Sequence, residues 1–110
     1  MLRTVLAITL AGALVLPLGA TAATQDYILV IKNHRFEPSE ITIPAGQKIK
    51  LVVDNQDPTP EEFESHSMNR EKVIPGRSKA SIWIGPLKPG SYDFVGEYHE
   101  DTARGKVIAK

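Results

Sequence analysis

Tyr92-Asp93-Phe94-Val95-Gly96-Glu97-Tyr98-His99-Glu100-Asp101-Thr102-Ala103-Arg104-Gly105-Lys106-Val107 decides how this chain is read. Tyr92, Phe94 and Gly96 fall two apart, so on an extended backbone they share one face. Lys106 to Ala109 forms a closing strand. The loop between the two strands carries one histidine, His99, among Glu97, Glu100 and Asp101. It holds no sulfur ligand.

Upstream the same period of two recurs. Tyr27 to Lys32 is a β-branched, mostly apolar run, and Glu40 to Ile43 alternates polar with apolar. Ile49, Leu51 and Val53 alternate with Lys48, Lys50 and Val52 after the turn Pro44-Ala45-Gly46-Gln47. Glu61 to His66 alternates around Phe63, and Ala80, Ile82 and Ile84 alternate with Ser81 and Trp83. Pro75-Gly76 and Pro86 to Gly90 supply turns, and Ser67 to Lys72 reads as a short helical or irregular excursion. About seven short strands without a helical period predict an all-β chain, a small Greek-key β-sandwich.

Residues 1–22 read as a secretory signal peptide: Arg3 gives the positive start, Val5 to Leu18 the apolar stretch and Ala20-Thr21-Ala22 a small-residue cleavage pattern. Fewer than the roughly 20 apolar residues that span a bilayer are present, so no stable membrane span is expected. Residues 23–110 then form one domain, and export places it in the periplasm. The chain carries 13 basic and 13 acidic side chains, and loss of Arg3 leaves one net negative charge. No field of that size attracts nucleic acid. Absence of cysteine excludes disulfides, zinc-thiolate centres, iron-sulfur clusters and type 1 copper. Neither a nucleophile elbow nor a phosphate-cradling glycine loop is present, and no catalytic residue is assigned.

Phe36-Glu37-Pro38, Ile41-Thr42-Ile43-Pro44-Ala45-Gly46, Val53-Asp54-Asn55-Gln56-Asp57, Pro75-Gly76, Pro89-Gly90-Ser91-Tyr92-Asp93-Phe94 and Gly105, in that order, resemble the cupredoxin family. The resemblance implies that Glu61 stands at the position of the family's first histidine ligand, Gly96 at the cysteine, His99 at the second histidine and Ala103 at the methionine. Blue-copper electron transfer needs a thiolate, so that function is rejected despite the fold. Glu61-Glu62-Phe63-Glu64-Ser65, Asn69 to Gly76, Ile84-Gly85-Pro86-Leu87 and His99 to Ala103 are similar to the small periplasmic cupredoxin-like components of bacterial ferrous-iron uptake systems. That narrower resemblance implies a role in binding iron, or copper, beside a second periplasmic metal protein and an oxidase-dependent inner-membrane iron permease.

In a strand, Glu61, Phe63 and Ser65 point one way and Glu62, Glu64 and His66 the other. With Phe63 in the core, Glu61 sits at the inward-facing end of its strand, and the arrangement that the cupredoxin resemblance implies brings the Gly96 to His99 turn over the same end, so that Glu61 and His99 are expected to converge with Glu97, Glu100 or Asp101 available to complete the shell. Carboxylates with one imidazole suit iron, cupric copper, manganese or zinc. Glu62 and His66 are further candidate ligands on the other face, whereas Glu64 reads as solvated, Met68 as packing, His34 as a surface turn residue and Trp83 as cover. Three functions compete: an exported metal-binding module in iron uptake, a metal-free partner-docking sandwich, and a ferroxidase, for which the sequence shows no electron acceptor.

Overall fold

The computed structural model describes Gly12 and residues 26–110. Apart from Gly12, the expected signal segment lies outside the described residues. Among those described, no helix is long and apolar enough to cross a membrane. Nine strands follow one another: β1 (Tyr27–Lys32), β2 (Arg35–Glu37), β3 (Glu40–Ile43), β4 (Ile49–Asn55), β5 (Glu61–Ser65), β6 (Arg70–Ile74), β7 (Ser78–Ile84), β8 (Gly90–Gly96) and β9 (Arg104–Ala109). A 3-10 turn, Glu97–His99, links β8 towards β9. One sheet runs β2-β1-β4-β7 and the other β3-β9-β8-β5-β6. β1 and β4 pair in parallel, as do β3 and β9, and the other ladders are antiparallel. This is the all-β sandwich that the alternating pattern predicts.

Two short strands go beyond the seven expected. β2 sits within Asn33 to Pro38, and β6 occupies part of the stretch read as helical or irregular. β6 is the outer strand of its sheet, and only Ile74 of its five residues is buried. An edge strand with one buried side chain has no apolar alternation to display, which is why its sequence gave no strand signal.

Between the sheets lie Leu29, Ile31, Leu51, Val53, Phe63, Ile74, Ile84, Phe94 and Val107, each at most 1% exposed. Burying a side chain of this kind contributes about 1.5–3 kcal/mol. Phe36 stands edge-on to Phe94 with centroids 4.9 Å apart, and Phe63 lies 5.0 Å from Phe94. Gly105 is required here, since a Cβ would lie 2.5 Å from the Phe94 ring and 2.5 Å from the Ser39 carbonyl oxygen. The aromatic cluster fixes Phe63 inward, and Phe63 in turn fixes the facing of every other residue of β5.

Candidate metal centre

β5 begins where the loop before it is pinned. The Asn55 amide donates to the carbonyls of Thr59, Ile74 and Pro75, and its oxygen accepts from Asp57 N. Glu61 therefore enters the sandwich at its rim, beneath the 3-10 turn. It is 1% exposed. A carboxylate so deep is tolerated only with its lone pairs occupied. Glu61 Oε1 accepts from Tyr98 N at 2.9 Å and from Glu62 N at 3.0 Å, while Oε2 lies 2.5 Å from His99 Nδ1. The Nδ1-protonated tautomer of His99 is the one that donates to this carboxylate oxygen.

The expected convergence of Glu61 and His99 is thus present, and the two side chains are spent on each other. Gly96 and Ala103 complete the pocket. A Cβ on Gly96 would lie 2.7 Å from Glu61 Cδ, 2.9 Å from Glu61 Oε2 and 2.7 Å from the Ala103 Cβ. Gly96 has φ −89°, an angle any residue adopts, so crowding by the carboxylate and Ala103 confines this position to glycine. Type 1 copper needs a thiolate and two imidazoles here. The four positions that would hold it carry one imidazole with an engaged Nδ1, a glycine, an alanine and a carboxylate packed against that glycine. The residues do not fit that metal.

His34 does not behave as a free surface residue. Its ring stacks on His99 with centroids 3.5 Å apart and planes 12° from parallel. Asn33 and His34 take left-handed backbone angles, φ 53° and 56°. The buried Asp57 holds that turn by accepting from both N–H groups at 2.8 and 2.9 Å. Burial pushes the Asp57 carboxyl up, but the N–H groups of His34 and Asn33 and the nearby His34 and His99 rings outweigh it, leaving its pKa lowered. Thr102 Oγ1 donates to the His34 carbonyl and closes the assembly.

The opposite face of β5 is built differently. Glu62, Glu64 and Glu97 each bring a carboxylate oxygen within 4.8 Å of the other two. Glu64 pairs with Val95 of β8, so Glu97, two residues on, comes over the same outer face. Glu64 is also directly opposite Glu71 of β6. Glu62 is 8% exposed, and its Oε1 is buried without a hydrogen-bond partner among the described residues. The Glu71 carboxylate, then burial, then Glu97 push the Glu62 carboxyl up to about 7. Glu97 first, with burial second, raises Glu64 as well. Like charges on one face of a sheet repel, and a buried unpaired carboxylate oxygen lacks compensation. A cation among them would relieve the repulsion and supply the missing partner.

Of the six sequence-derived candidates, the structure brings Glu61 to His99 in the pocket and Glu62 to Glu97 on the rim. His66 Nε2 lies 3.1 Å from Glu64 Oε1, although the His66 side chain is 93% exposed. Glu100 is exposed and meets Arg104 through its backbone carbonyl. Glu64 is the member that sequence reading passed over as solvated. It is half-buried, and its signal was the Glu-x-Glu spacing itself, legible once Glu97 is placed opposite. Met68 is core packing, as expected. Arg70 donates to the Trp83 and Asn69 carbonyls and is committed to structure.

Residues 4–109 match the family described as the cupredoxin-like domain. An uncharacterized protein of Rickettsia prowazekii (strain Madrid E) is 44% identical over 89 residues, which are 77% of this chain and 71% of that protein. Among solved structures, auracyanin A, a blue copper protein of Chloroflexus aurantiacus, superposes with a TM-score of 0.67 at 12% identity, covering 78% of this chain and 98% of its own. Amicyanin from Paracoccus versutus gives 0.62 at 21% identity, covering 83% and 87%. A chain of a heme-copper terminal oxidase dimer gives 0.66 at 20% identity, covering 83% and 68%. At these identities the likeness to the solved structures is one of fold.

Proposed function

The chain belongs to the cupredoxin-like domain family, and from that premise we propose that it is an exported metal-binding module whose cargo is iron, held on a carboxylate rim and not in a buried sulfur pocket. The observation that carries this reading is the buried, unpartnered Glu62 Oε1 within a group of three carboxylates, Glu62, Glu64 and Glu97. Oxygen donors of this kind suit ferrous and ferric iron or manganese and suit cuprous copper poorly. The separations are of the order that one cation bridges after small side-chain rotations, since metal–oxygen bonds run about 2.0–2.6 Å. Glu97 is exposed, which leaves one side of the cluster open for a cation to arrive and leave.

Residues 1–22 supply the export signal and residues 23–110 the periplasmic domain. The resemblance to components of ferrous-iron uptake systems supports a place beside an inner-membrane iron permease and a second periplasmic metal protein. Cupric copper is the alternative cargo. No second redox centre is evident that would accept an electron from iron, so binding and presentation are favoured over ferroxidase turnover.

Calorimetric titration with Mn2+, and with Fe2+ under anaerobic conditions, tests the proposal. Glu62→Gln and Glu97→Gln are each expected to weaken binding about tenfold or more, equivalent to roughly 1.4 kcal/mol. Wild-type protein that binds neither Mn2+ nor Fe2+ would remove the iron reading, and failure to bind Cu2+ as well would leave a docking sandwich, which the crowding of Gly96 and Ala103 by Glu61 favours as the second reading. Oxygen consumption with Fe2+ separates the rest: catalytic turnover, as opposed to stoichiometric oxidation, would assign a ferroxidase.

A further inference from the structure

We propose that Glu61 is a specificity-determining residue, which keeps copper out of the buried pocket and confines cations to the rim. This deepens the rim reading and rests on it. Of the four positions that the family uses for ligands, the one that keeps a side chain able to serve a borderline metal is His99, and its Nδ1 is the atom hydrogen-bonded to Glu61 Oε2 at 2.5 Å. A cation entering there must displace a carboxylate fixed at three points, by Tyr98 N, Glu62 N and His99 Nδ1. The space beside Gly96, where a ligand side chain would begin, is already occupied by the Glu61 carboxylate and the Ala103 methyl group. Neither change alone would close the pocket so fully. Glycine removes a ligand, and the carboxylate then fills the volume that glycine vacates.

The same side chain orders the rim. Oε1 holds the backbone N–H of Glu62, itself a rim ligand, and that of Tyr98, adjacent to the rim ligand Glu97. One buried carboxylate therefore ties β5 to the 3-10 turn and sets the two elements that carry the open cluster. Exclusion at the pocket and positioning at the rim come from the two oxygens of one carboxylate.

Electron paramagnetic resonance of Cu2+ at one equivalent tests this, reading the imidazole-nitrogen coupling that depends on His99. That dependence is obtained by comparing each protein with its His99→Gln partner, which subtracts nitrogen from His34, His66 and the chain terminus. With Glu61 in place, the two spectra are expected to coincide, with Cu2+ on oxygen donors. In Glu61→Ala, a His99-dependent coupling is expected to appear. In Glu61→His, which preserves bulk and so covers failure of the alanine variant to fold, coupling to two pocket imidazoles is expected. A His99-dependent coupling in the wild-type background overturns the proposal, as does its absence from both Glu61 variants. Mn2+ titration of Glu62→Gln judges the rim separately, so either claim can fail while the other stands.

Discussion

Glu61 and Glu62 are neighbours in sequence, both are buried carboxylates, and they live in opposite electrostatic worlds. Glu61 is surrounded by donors, two backbone N–H groups and an imidazole. Glu62 faces other carboxylates, Glu71 and Glu97 foremost, with the Tyr98 hydroxyl beside it, and among the described residues its Oε1 has no hydrogen-bond partner. The difference of one residue is a difference of sheet face. Inward, a charge must be satisfied by the protein itself; outward, at a half-open rim, satisfaction can be left to something that comes and goes. A closed carboxylate builds structure, and an open one is available for binding.

Removing the closed carboxylate should have the largest effect on stability. Glu61→Ala leaves His99 Nδ1 and the N–H groups of Tyr98 and Glu62 without their acceptor. Breaking a buried pair from one side costs about 3–5 kcal/mol, and the partial exposure of His99 places this case near the lower value. In a domain of this size that corresponds to a fall in Tm of order 10 °C or more, read by thermal denaturation. A change of only a few degrees would mean that the pair is not the tie described here. Glu62→Gln, by contrast, should leave metal-free protein as stable as wild type or more so.

Gly96→Ala sharpens the same contrast from the pocket side. Its Cβ would press within 3 Å of both Glu61 and Ala103, overpacking that costs about 1–3 kcal/mol. Gly90, at the other end of β8, is the control: a Cβ there comes no closer than 3.7 Å to the Tyr92 ring, and Gly90→Ala should be close to neutral. Urea unfolding of the two variants checks the pair. Equal losses would place the cost in the backbone and not in the carboxylate.

The inner half of this arrangement was legible in the sequence, and the outer half was not. β1 and β3 have the boundaries that alternation predicts, and Glu61 and His99 meet because Phe63 and Phe94 fix the facing of their strands. Local pattern fails where partners come from afar. Glu64 reads as solvated until the ladder register sets it against Val95 and brings Glu97 over it. His34 reads as a surface turn until Asp57, more than twenty residues away, holds the left-handed turn that lays its ring on His99. β6 was hidden because an edge strand with one buried residue has no period. Each miss is a cross-strand relation that no window along the chain contains.

The pH response separates the two carboxylates next. Glu62 is raised to about 7 from an ordinary value near 4.5. The folded state therefore holds a proton that the unfolded chain releases from about pH 4.5 upward, and the stabilisation present below that value is lost as pH rises through 7. Metal-free protein should weaken across this window. Glu62→Gln should flatten the profile, and saturating Mn2+ should suppress the loss, because the cation replaces the proton as the neutralising charge. Urea midpoints measured from pH 4 to 8, with and without Mn2+, decide it. A wild-type profile that rises over the same interval would contradict the crowding of the rim.

The smallest effect is expected at His66, and its smallness is informative. His66 Nε2 lies 3.1 Å from Glu64, yet the ring projects almost wholly into solvent. Water screens an exposed contact of this kind, and ordering two side chains opposes the little that it gains. A cation on the rim would draw its attraction from the carboxylates that the fold already crowds together. His66→Ala should therefore leave the Mn2+ affinity within about twofold of wild type, whereas Glu62→Gln lowers it about tenfold or more. If the histidine variant instead lost affinity as steeply, the ligand set would be of mixed nitrogen and oxygen type and centred nearer Glu64. The preference would then shift towards cupric copper and zinc. The ratio of the two losses thus reports where on the outer face the cation sits, which neither variant reports alone.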